Sequence, residues 1–334
     1  MLEQIPKVEL SYLCIEQLEL DQVALPTRLK SFQALSSYLV LRKKLKRIVE
    51  HKEFDLVICM TVQPVLALHG LFRRARIACW YDTLPFHPGS GFKASLANFL
   101  ARAVYNRAFR RVQTLLPMSA WADAQRRLFS FPSLRQVILS PICVSAAMWR
   151  LPGVKTFSTD GKLRVLMSGN DARRKGFIDF FGWCQQTSAD LSGLEFTILS
   201  NEQNPQLLTL AAELGINMVT DLTHDQLPRM ISYYHQADIF FLPTKADMMP
   251  NVLIEAAAAK LPVLAANVGA ISELLLPGKT GWLQPVGDWA GFYQSLIDFK
   301  RNPLQLSDAD LSMHSETFFD QTMRIKLTEV IVGD

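Results

Sequence analysis

The stretch Lys245–Ala258, which reads Lys-Ala-Asp-Met-Met-Pro-Asn-Val-Leu-Ile-Glu-Ala-Ala-Ala, decides the fold of this chain. It follows an apolar, strand-like run from Asp238 to Pro243. It ends in an Ala-rich helical segment that we expect to begin at Pro250 or Asn251, because proline is well tolerated in a first helical turn. A buried strand, a loop and a helix in this order are typical of a doubly wound α/β domain.

The loop and the helix carry two carboxylates, Asp247 and Glu255, eight positions apart. The backbone amides of Asn251 and Val252 at the start of the helix have no helical partners, and a helix N-terminus favours anions such as phosphate. Glu255 comes four residues after Asn251, so its side chain leans back toward that end of the helix. The pattern predicts a carboxylate beside a phosphate site, where it can accept hydrogen bonds from sugar hydroxyls.

The region from Ala237 to Asp288 resembles the donor-binding core of retaining glycosyltransferases of the GT-B fold, in particular glycosyltransferase family 4. That family has an acidic residue followed by Glu at the same spacing as Asp247 and Glu255. The other matching segments are Pro250–Glu255, Leu261–Ala266, Val268–Glu273, Gly278–Leu283 and Gly287-Asp288. Two positions differ from the family, since Asp247 replaces a Glu and Lys260 replaces a Gly. The alternative is an ordinary strand–helix–strand unit without this function.

A second candidate segment, Ser168–Gly176, follows the apolar run Leu163–Met167 and contains three consecutive cations, Arg173, Arg174 and Lys175. Fixed cations at a helix start can neutralise the charge that develops on a departing diphosphate without a metal ion. A solvated basic turn is the alternative.

The family has a Gly-Arg and a Lys-Gly at this place, whose Arg and Lys bind the donor diphosphate. The glycines that match are Gly169 and Gly176. Lys175 matches the family Lys, whereas Asn170 stands where the family often has Arg. The resemblance therefore leaves Arg173 and Arg174 as alternatives for the second diphosphate contact.

Strand-length apolar runs alternate with helical patterns along the chain, which is typical of parallel sheets covered on both faces. The resemblance implies a GT-B fold, α/β, with two Rossmann-like doubly wound domains facing a cleft. We expect an acceptor-side domain at 1–150, a donor-binding domain at 155–315, and a last helix at about 316–334 that packs back on the first domain.

The function implied by the resemblance is a retaining, metal-independent transfer of a sugar from a nucleotide-diphosphate sugar to a glycan or lipid-linked acceptor, in cell-envelope polysaccharide synthesis. The donor is a substrate, and no cofactor is expected. The residues implied at the reacting centre are Asp247, Lys175, Arg174 and Asp82. Those implied around the donor are Glu255, Arg173, Gly169, Asn251, Val252 and Met249.

The first half resembles the family less. The family's first domain opens with a Gly-rich loop, but the first glycine here is Gly70, so we expect a shortened domain. Where the family often has a His-Asp pair, this chain has Tyr81-Asp82, so Asp82 matches the acid and the His is missing. Asp82 is an acceptor contact or a cap in this interpretation. Ser119 matches a family turn, and we interpret it as a structural N-cap.

Charge is divided unevenly along the 334 residues. Residues 1–150 hold 21 Lys and Arg against 10 Asp and Glu, whereas residues 151–334 hold 14 against 21. Two basic amphipathic stretches, near 38–48 and 96–111, can lie on an anionic membrane surface or pack on a core with a solvated face. Aromatic residues are not interleaved with the basic runs, so nucleic-acid binding is not expected.

Other classes of site are weakly supported by the sequence. Five scattered Cys without a CxxC pair argue against zinc and disulfides and for a reducing compartment. No leader peptide and no apolar run of about 18 residues is found, so a cytoplasmic or peripheral membrane protein is expected. Asp308-Ala309-Asp310 fits a helix start better than a metal motif. A non-catalytic nucleotide-sugar binder or partner subunit and, more weakly, a sugar-nucleotide epimerase stay open as alternatives.

Overall fold

The structure is a computed structural model. It describes residues 42–43, 46–47, 54–59, 65, 71, 74–81, 99, 102–103, 106–107, 109–125, 135–137, 144–151, 157, 160–223, 226–302, 307–316 and 319–332. The chain divides into two compact units, Met1–Pro141 with Arg324–Asp334, and Ile142–Met323. The sequence analysis predicts one domain at 1–150, a second at 155–315, and a last helix at about 316–334 that packs on the first domain. This domain assignment stays a prediction.

The first unit contains a parallel four-stranded sheet in the order β1-β2-β3-β4. Its strands are β1 (Leu56–Cys59), β2 (Arg76–Tyr81), β3 (Thr114–Pro117) and β4 (Arg135–Gln136). Helix α1 (Ala120–Gln125) follows β3. Ser119 accepts a hydrogen bond from the Ala122 amide at 3.0 Å, which confirms its role as an N-cap.

The second unit contains a parallel six-stranded sheet in the order β10-β9-β8-β5-β6-β7. Its strands are β5 (Leu163–Ser168), β6 (Leu194–Leu199), β7 (Asn217–Val219), β8 (Ile239–Leu242), β9 (Val263–Ala266) and β10 (Gly281–Gln284). Parallel strands that run outward from a central first strand in both directions form the doubly wound Rossmann arrangement. This confirms the predicted fold class for this part of the chain.

The helices of the second unit come before, between and after the strands of its sheet. They are α2 (Ala146–Trp149), α3 (Phe177–Thr187), α4 (Pro205–Leu214), α5 (Leu227–Gln236), α6 (Asn251–Ala258), α7 (Trp289–Arg301) and α8 (Asp308–Glu316). A 3₁₀ turn lies at Ile271–Glu273. The last helix, α9 (Asp320–Val332), begins in the second unit and ends in residues assigned to the first.

Both faces of the second sheet are buried, because each strand alternates its apolar side chains between two cores. Phe241 of β8 packs with Phe180 of α3 in one core, whereas Phe240 packs with Tyr234 of α5 in the other. Continuous apolar strands are therefore what the sequence requires here. This double coverage fixes the carboxyl ends of the strands, where the candidate site lies.

Side-chain caps fix several helix starts. Asn204 accepts from the Gln206 amide at the start of α4, and Asp288 accepts from the Gly291 amide at the start of α7. Ser307 accepts from the Asp310 amide at 3.0 Å, so the acidic pair there belongs to a helix cap, as the sequence predicts. The expected shortening near the chain start lies outside the described residues.

Within the part of the chain that the structure describes, none of the helices has both the length and the apolar character needed to cross a bilayer.

Candidate functional site

The candidate site lies where the strand order of the second sheet changes direction. β5 pairs with β6 on one side and with β8 on the other, and the chain leaves β5 for β6 but returns to the far side at β8. Ligands of open α/β sheets bind outside the carboxyl ends of strands at such a switch point. The loop after β5 carries Arg173–Lys175, and the loop after β8 carries Asp247. The two candidate segments therefore meet at the position where a ligand is expected.

Asp247 is held by two cations from the opposite loop. Its Oδ2 lies 2.7 Å from Lys175 Nζ and 3.2 Å from Arg174 Nη1. The side chains of Lys175 and Asp247 are only 8% and 14% exposed, so this ion pair is screened little by solvent. Buried charges persist only when they are paired, and here three charged groups satisfy one another.

Backbone contacts tie the same two loops together. The Lys245 amide donates to Arg174 O at 2.8 Å, and Arg174 Nη1 donates to Ala246 O at 2.8 Å. The buried hydroxyl of Thr244 lies 3.1 Å from Arg174 O and 3.5 Å from Asp247 Oδ2. The position of Asp247 relative to Lys175 is therefore set by the backbone as well as by charge.

Two glycines allow the loops to approach this closely. Gly176 has a φ of 77°, and a Cβ there would lie 2.0 Å from Pro243 O. Gly269 has a φ of 62°, and a Cβ there would lie 2.0 Å from Asp247 O. Only glycine fits either position, because both the left-handed backbone and the contact with a main-chain oxygen exclude a side chain.

The structure places the two arginines of the basic segment differently. Arg174 contacts Asp247 and also lies 3.1 Å from Asp171 Oδ2, whereas Arg173 is exposed and donates to Gln206 Oε1 at 2.6 Å. Asn170, where the family often has Arg, accepts from the Asn201 amide at 3.1 Å. Of the two arginines that the sequence left open, only Arg174 joins the Asp247 cluster.

Helix α6 begins beside this cluster. Pro250 is its N-cap, so the proline precedes the first helical residue, which is Asn251. Among the described residues, none accepts a hydrogen bond from the amides of Asn251 or Val252. Asn251 is exposed and Val252 half-buried, so their amides can donate to a ligand at this end of the helix.

Glu255, one turn into α6, has a different environment from Asp247. Its Oε2 accepts a hydrogen bond of 2.6 Å from the hydroxyl of Tyr234 on α5. Burial raises the pKa of Glu255, and the Tyr234 hydrogen bond and the charge of Lys175 partly oppose this rise. Lys175 is therefore within electrostatic reach of both carboxylates.

The other predicted residues take smaller parts in this arrangement. Gly169 has a φ of 135°, and a Cβ there would lie 2.9 Å from Lys175 Cε, so this glycine leaves room for the lysine chain. Met249 is half-buried against the second core. Asp82 lies outside the described residues. Over the described ranges, no group of three or more His, Cys, Asp and Glu side chains could hold a metal ion.

The sequence interpretation missed Tyr234 and Thr244. Both are fully buried polar residues that touch the two carboxylates. A signal existed for Tyr234, because it lies three positions after Ile231 on the buried face of α5, and a buried hydroxyl requires a partner. No comparable signal distinguishes Thr244 from any polar residue after a strand.

Residues 162–302 match the family model described as "Glycosyl transferases group 1". Curated proteins with similar sequences include the D-inositol 3-phosphate glycosyltransferases of Nocardia farcinica and Mycolicibacterium smegmatis. The first is 39% identical over 103 residues, which cover 29% of this chain and 23% of that protein. The second is 28% identical over 200 residues, which cover 56% of this chain and 38% of that protein. The chain spans well under half the length of these relatives.

Solved structures of the same fold cover nearly the whole chain. Sucrose-phosphate synthase from Thermosynechococcus elongatus has a TM-score of 0.70 at 15% identity, over 92% of this chain and 80% of that one. The Anabaena protein HepE, in complex with UDP and glucose, has a TM-score of 0.64 at 13% identity, over 93% and 84%. The chain therefore has the GT-B fold of glycosyltransferases. The match to the glycosyl transferases group 1 family model lies within the second unit of this fold.

Proposed function

We propose that this protein is a retaining, metal-independent glycosyltransferase that moves a sugar from a nucleotide-diphosphate sugar to an acceptor hydroxyl. The observation that carries the proposal is the cluster of Lys175 and Arg174 at the switch point of the second sheet, beside the start of α6. Cations and helix amides together suit a diphosphate, and a carboxylate one helical turn away suits sugar hydroxyls. The HepE structures with UDP and with UDP-glucose make uridine diphosphate sugars the first donors to test.

The residues have separate roles in this proposal. Lys175 and Arg174 contact the diphosphate and stabilise the charge that develops on it as the bond to the sugar breaks. Each cation has several N–H donors, so a phosphate oxygen can share it with Asp247. Asp247 contacts hydroxyls of the transferred sugar, and Glu255 binds the ribose diol. The amides of Asn251 and Val252 donate to the phosphate.

The chemical step needs no protein nucleophile in this proposal. The bond between the anomeric carbon and the phosphate oxygen breaks, and the acceptor oxygen bonds to that carbon from the same face. The departing phosphate oxygen takes the acceptor proton, so the sugar keeps its configuration. The contribution of the protein is positioning and electrostatic stabilisation, with fixed cations in the place that a metal ion takes in other transferases.

A glycan or a lipid-linked carrier is the proposed acceptor, in cell-envelope polysaccharide synthesis at the inner face of the membrane. Support comes from the basic first half of the chain, where Arg102, Arg107, Arg110 and Arg111 are exposed. Phe99 in the same region is 68% exposed. Exposed arginines with an exposed aromatic ring suit an anionic membrane surface, to which each basic residue adds about 1 kcal/mol.

The test is a transfer assay with UDP-, GDP- and ADP-sugars against membrane-extracted lipid-linked glycans. The anomeric configuration of the product is read by NMR, and the assay is repeated with a chelator. We expect one donor to give a product of unchanged configuration, with a rate that the chelator leaves intact. An inverted product contradicts the retaining mechanism, and a rate lost on chelation contradicts metal independence.

A second candidate is a nucleotide-sugar binder without transfer activity. It is favoured by the residue pair Tyr81-Asp82, which lacks the His that resembling enzymes often carry there. Under this alternative, nucleotide binding persists while no acceptor extract supports turnover. Isothermal titration of the donor beside the transfer assay separates the two functions.

A further inference from the structure

The hydroxyl of Tyr234 is the only side-chain donor that the structure places within hydrogen-bond distance of Glu255 among the described residues. The two residues come from different helices, α5 and α6, and lie 2.6 Å apart between Tyr234 Oη and Glu255 Oε2. Nothing in the proposed transfer reaction uses the tyrosine. Its partner, however, is the carboxylate that we place on the donor ribose.

The tyrosine is held rigidly. Its side chain is fully buried, its ring stacks on Phe240 with centroids 5.6 Å apart, and Trp149 packs edge-on at 5.2 Å. Burial and the neighbouring Glu255 raise the pKa of Tyr234 well above its usual value, so the hydroxyl stays protonated and donates. A rigid ring with a fixed donor sets the plane of the carboxylate that it contacts.

We propose that Tyr234 is a positioning residue for donor binding, which holds Glu255 through Oε2 and presents Oε1 to the two hydroxyls of the ribose. This inference rests on the proposed function. No described residue donates a hydrogen bond to Oε1, so that oxygen can accept from a ligand. A cis-diol offers two hydroxyl donors in a fixed geometry. A carboxylate held in one plane is already oriented to accept from them, whereas a freely rotating carboxylate must first be ordered.

The same contact makes donor binding depend on pH. The groups that act on Glu255 are Tyr234 from α5 and Lys175 from the loop after β5, which in turn pairs with Asp247 from the loop after β8. Removing the Tyr234 hydroxyl removes a group that keeps Glu255 ionised, so the carboxyl pKa rises further. Donor affinity in such a variant should therefore fall more steeply as the pH is lowered.

The test compares Tyr234→Phe with Tyr233→Phe, the same change at the adjacent residue of α5, which is only half-buried. Isothermal titration uses UDP, GDP and ADP, and then the 2′-deoxy form of the nucleotide that binds, from pH 6 to pH 8. We expect Tyr234→Phe to weaken ribonucleotide binding about tenfold, since the carboxylate loses its orienting hydrogen bond. Tyr233→Phe should stay within about twofold of the wild type.

Two measurements distinguish a role of Tyr234 in orienting Glu255 from a general destabilisation of the protein by the substitution. The effect of Tyr234→Phe should be smaller for the 2′-deoxynucleotide, and it should grow as the pH falls. A loss that is equal for both nucleotides and constant with pH overturns the inference, as does binding equal to that of Tyr233→Phe. If the wild type binds none of the three nucleotides, the proposed function fails first and the inference fails with it.

Discussion

Asp247 and Glu255 are two carboxylates of one short segment, yet the structure gives them opposite kinds of partner. Asp247 is paired with two cations, Lys175 and Arg174, that reach across from another loop. Glu255 accepts from a neutral tyrosine hydroxyl inside an apolar core, and burial raises its pKa. The first carboxylate is held by charge and by backbone contacts between its loop and the loop of Arg174, and the second is held by packing and one hydrogen bond.

The difference shows how one sequence motif can serve two tasks. A carboxylate between cations keeps those cations in place and adds negative charge where a diphosphate also binds, so it acts on the ion cluster. A carboxylate beside a neutral donor keeps its remaining lone pairs for hydroxyl groups. We therefore propose that Asp247 serves the phosphate and sugar side of the site, and Glu255 the ribose side.

The largest effect is expected from Lys175→Met, which removes the cation that interacts electrostatically with both carboxylates. We expect donor turnover to fall at least 100-fold, because this charge stabilises the departing diphosphate. Steady-state kinetics against the nucleotide sugar checks it. Lys162→Met is the control, since Lys162 is exposed at the start of β5, away from the carboxyl ends of the strands. Equal rates for the two variants would contradict the proposed role of Lys175.

The backbone approach that holds Asp247 is tested by Gly269→Ala. Both the φ of 62° and the 2.0 Å contact with Asp247 O oppose a side chain, so we expect unfolding to become easier by about 3 kcal/mol, together with weaker donor binding. Gly278→Ala is the matched control, since Gly278 has a φ of 73° but nothing within 4 Å of a Cβ. Gly278→Ala should lower the free energy of unfolding, measured with urea, by about 1 kcal/mol and leave donor binding unchanged.

Replacing each carboxylate by its amide tests whether the two environments affect the stability of the protein differently. Asp247→Asn leaves Lys175 without its charged partner and should destabilise the protein by about 2 kcal/mol. Glu255→Gln removes a charge that burial disfavours, so its stability at pH 8 should equal or exceed that of the wild type. Chemical unfolding of both variants checks this. Equal losses from both variants would mean that the two sites are alike.

The pH dependence of stability follows from the same comparison. The pKa of Glu255 is raised above its ordinary value of 4.5, so the folded protein binds its proton more tightly than the unfolded chain. Its contribution to stability is full below pH 4.5 and is lost as the pH rises through the folded pKa. The stability of Glu255→Gln should therefore decrease less than that of the wild type over this pH range, because glutamine has no proton to lose. Unfolding midpoints from pH 4 upward for both proteins measure it.

The smallest expected effect is the difference in donor binding between the Arg174→Ala and Arg173→Ala variants. Arg174→Ala removes a contact to Asp247 and should weaken donor binding several-fold, whereas Arg173→Ala removes only the contact with Gln206 and should change it less than twofold. Thermal shift with the bound nucleotide compares them. A larger loss from Arg173→Ala would assign the diphosphate contact to the arginine that the structure directs toward α4.

Much of the second unit could be predicted because its sequence signals are local. The apolar runs Leu163–Met167 and Asp238–Pro243 correspond to β5 and β8, with ends that differ by one residue from those in the structure. Of the two helix starts that the sequence left open, Pro250 and Asn251, the structure has Asn251. Strand order could not be derived from these patterns, because pairing between β5 and β8 joins segments far apart in the chain.

The structure brings the predicted residues Lys175, Arg174 and Asp247 into one cluster, whereas the sequence did not indicate Tyr234 beside Glu255. Lys175, Asp247 and Glu255 became candidates because the family resemblance and their places in two strand–loop–helix segments both point to them. Tyr234 was missed because it comes from another helix and pairs with Glu255 only after both helices pack on the sheet. The choice between Arg173 and Arg174 depends on the direction of two adjacent side chains, which sequence spacing does not determine.

The central claim is that the second unit binds a nucleotide diphosphate through Lys175 and Glu255. The most direct measurement is isothermal titration of UDP, GDP and ADP into the wild type, Lys175→Met and Glu255→Gln. We predict that one nucleotide binds the wild type, that Lys175→Met abolishes this binding, and that Glu255→Gln weakens it about tenfold. Binding to all three proteins with equal affinity, or to none of them, would contradict the claim.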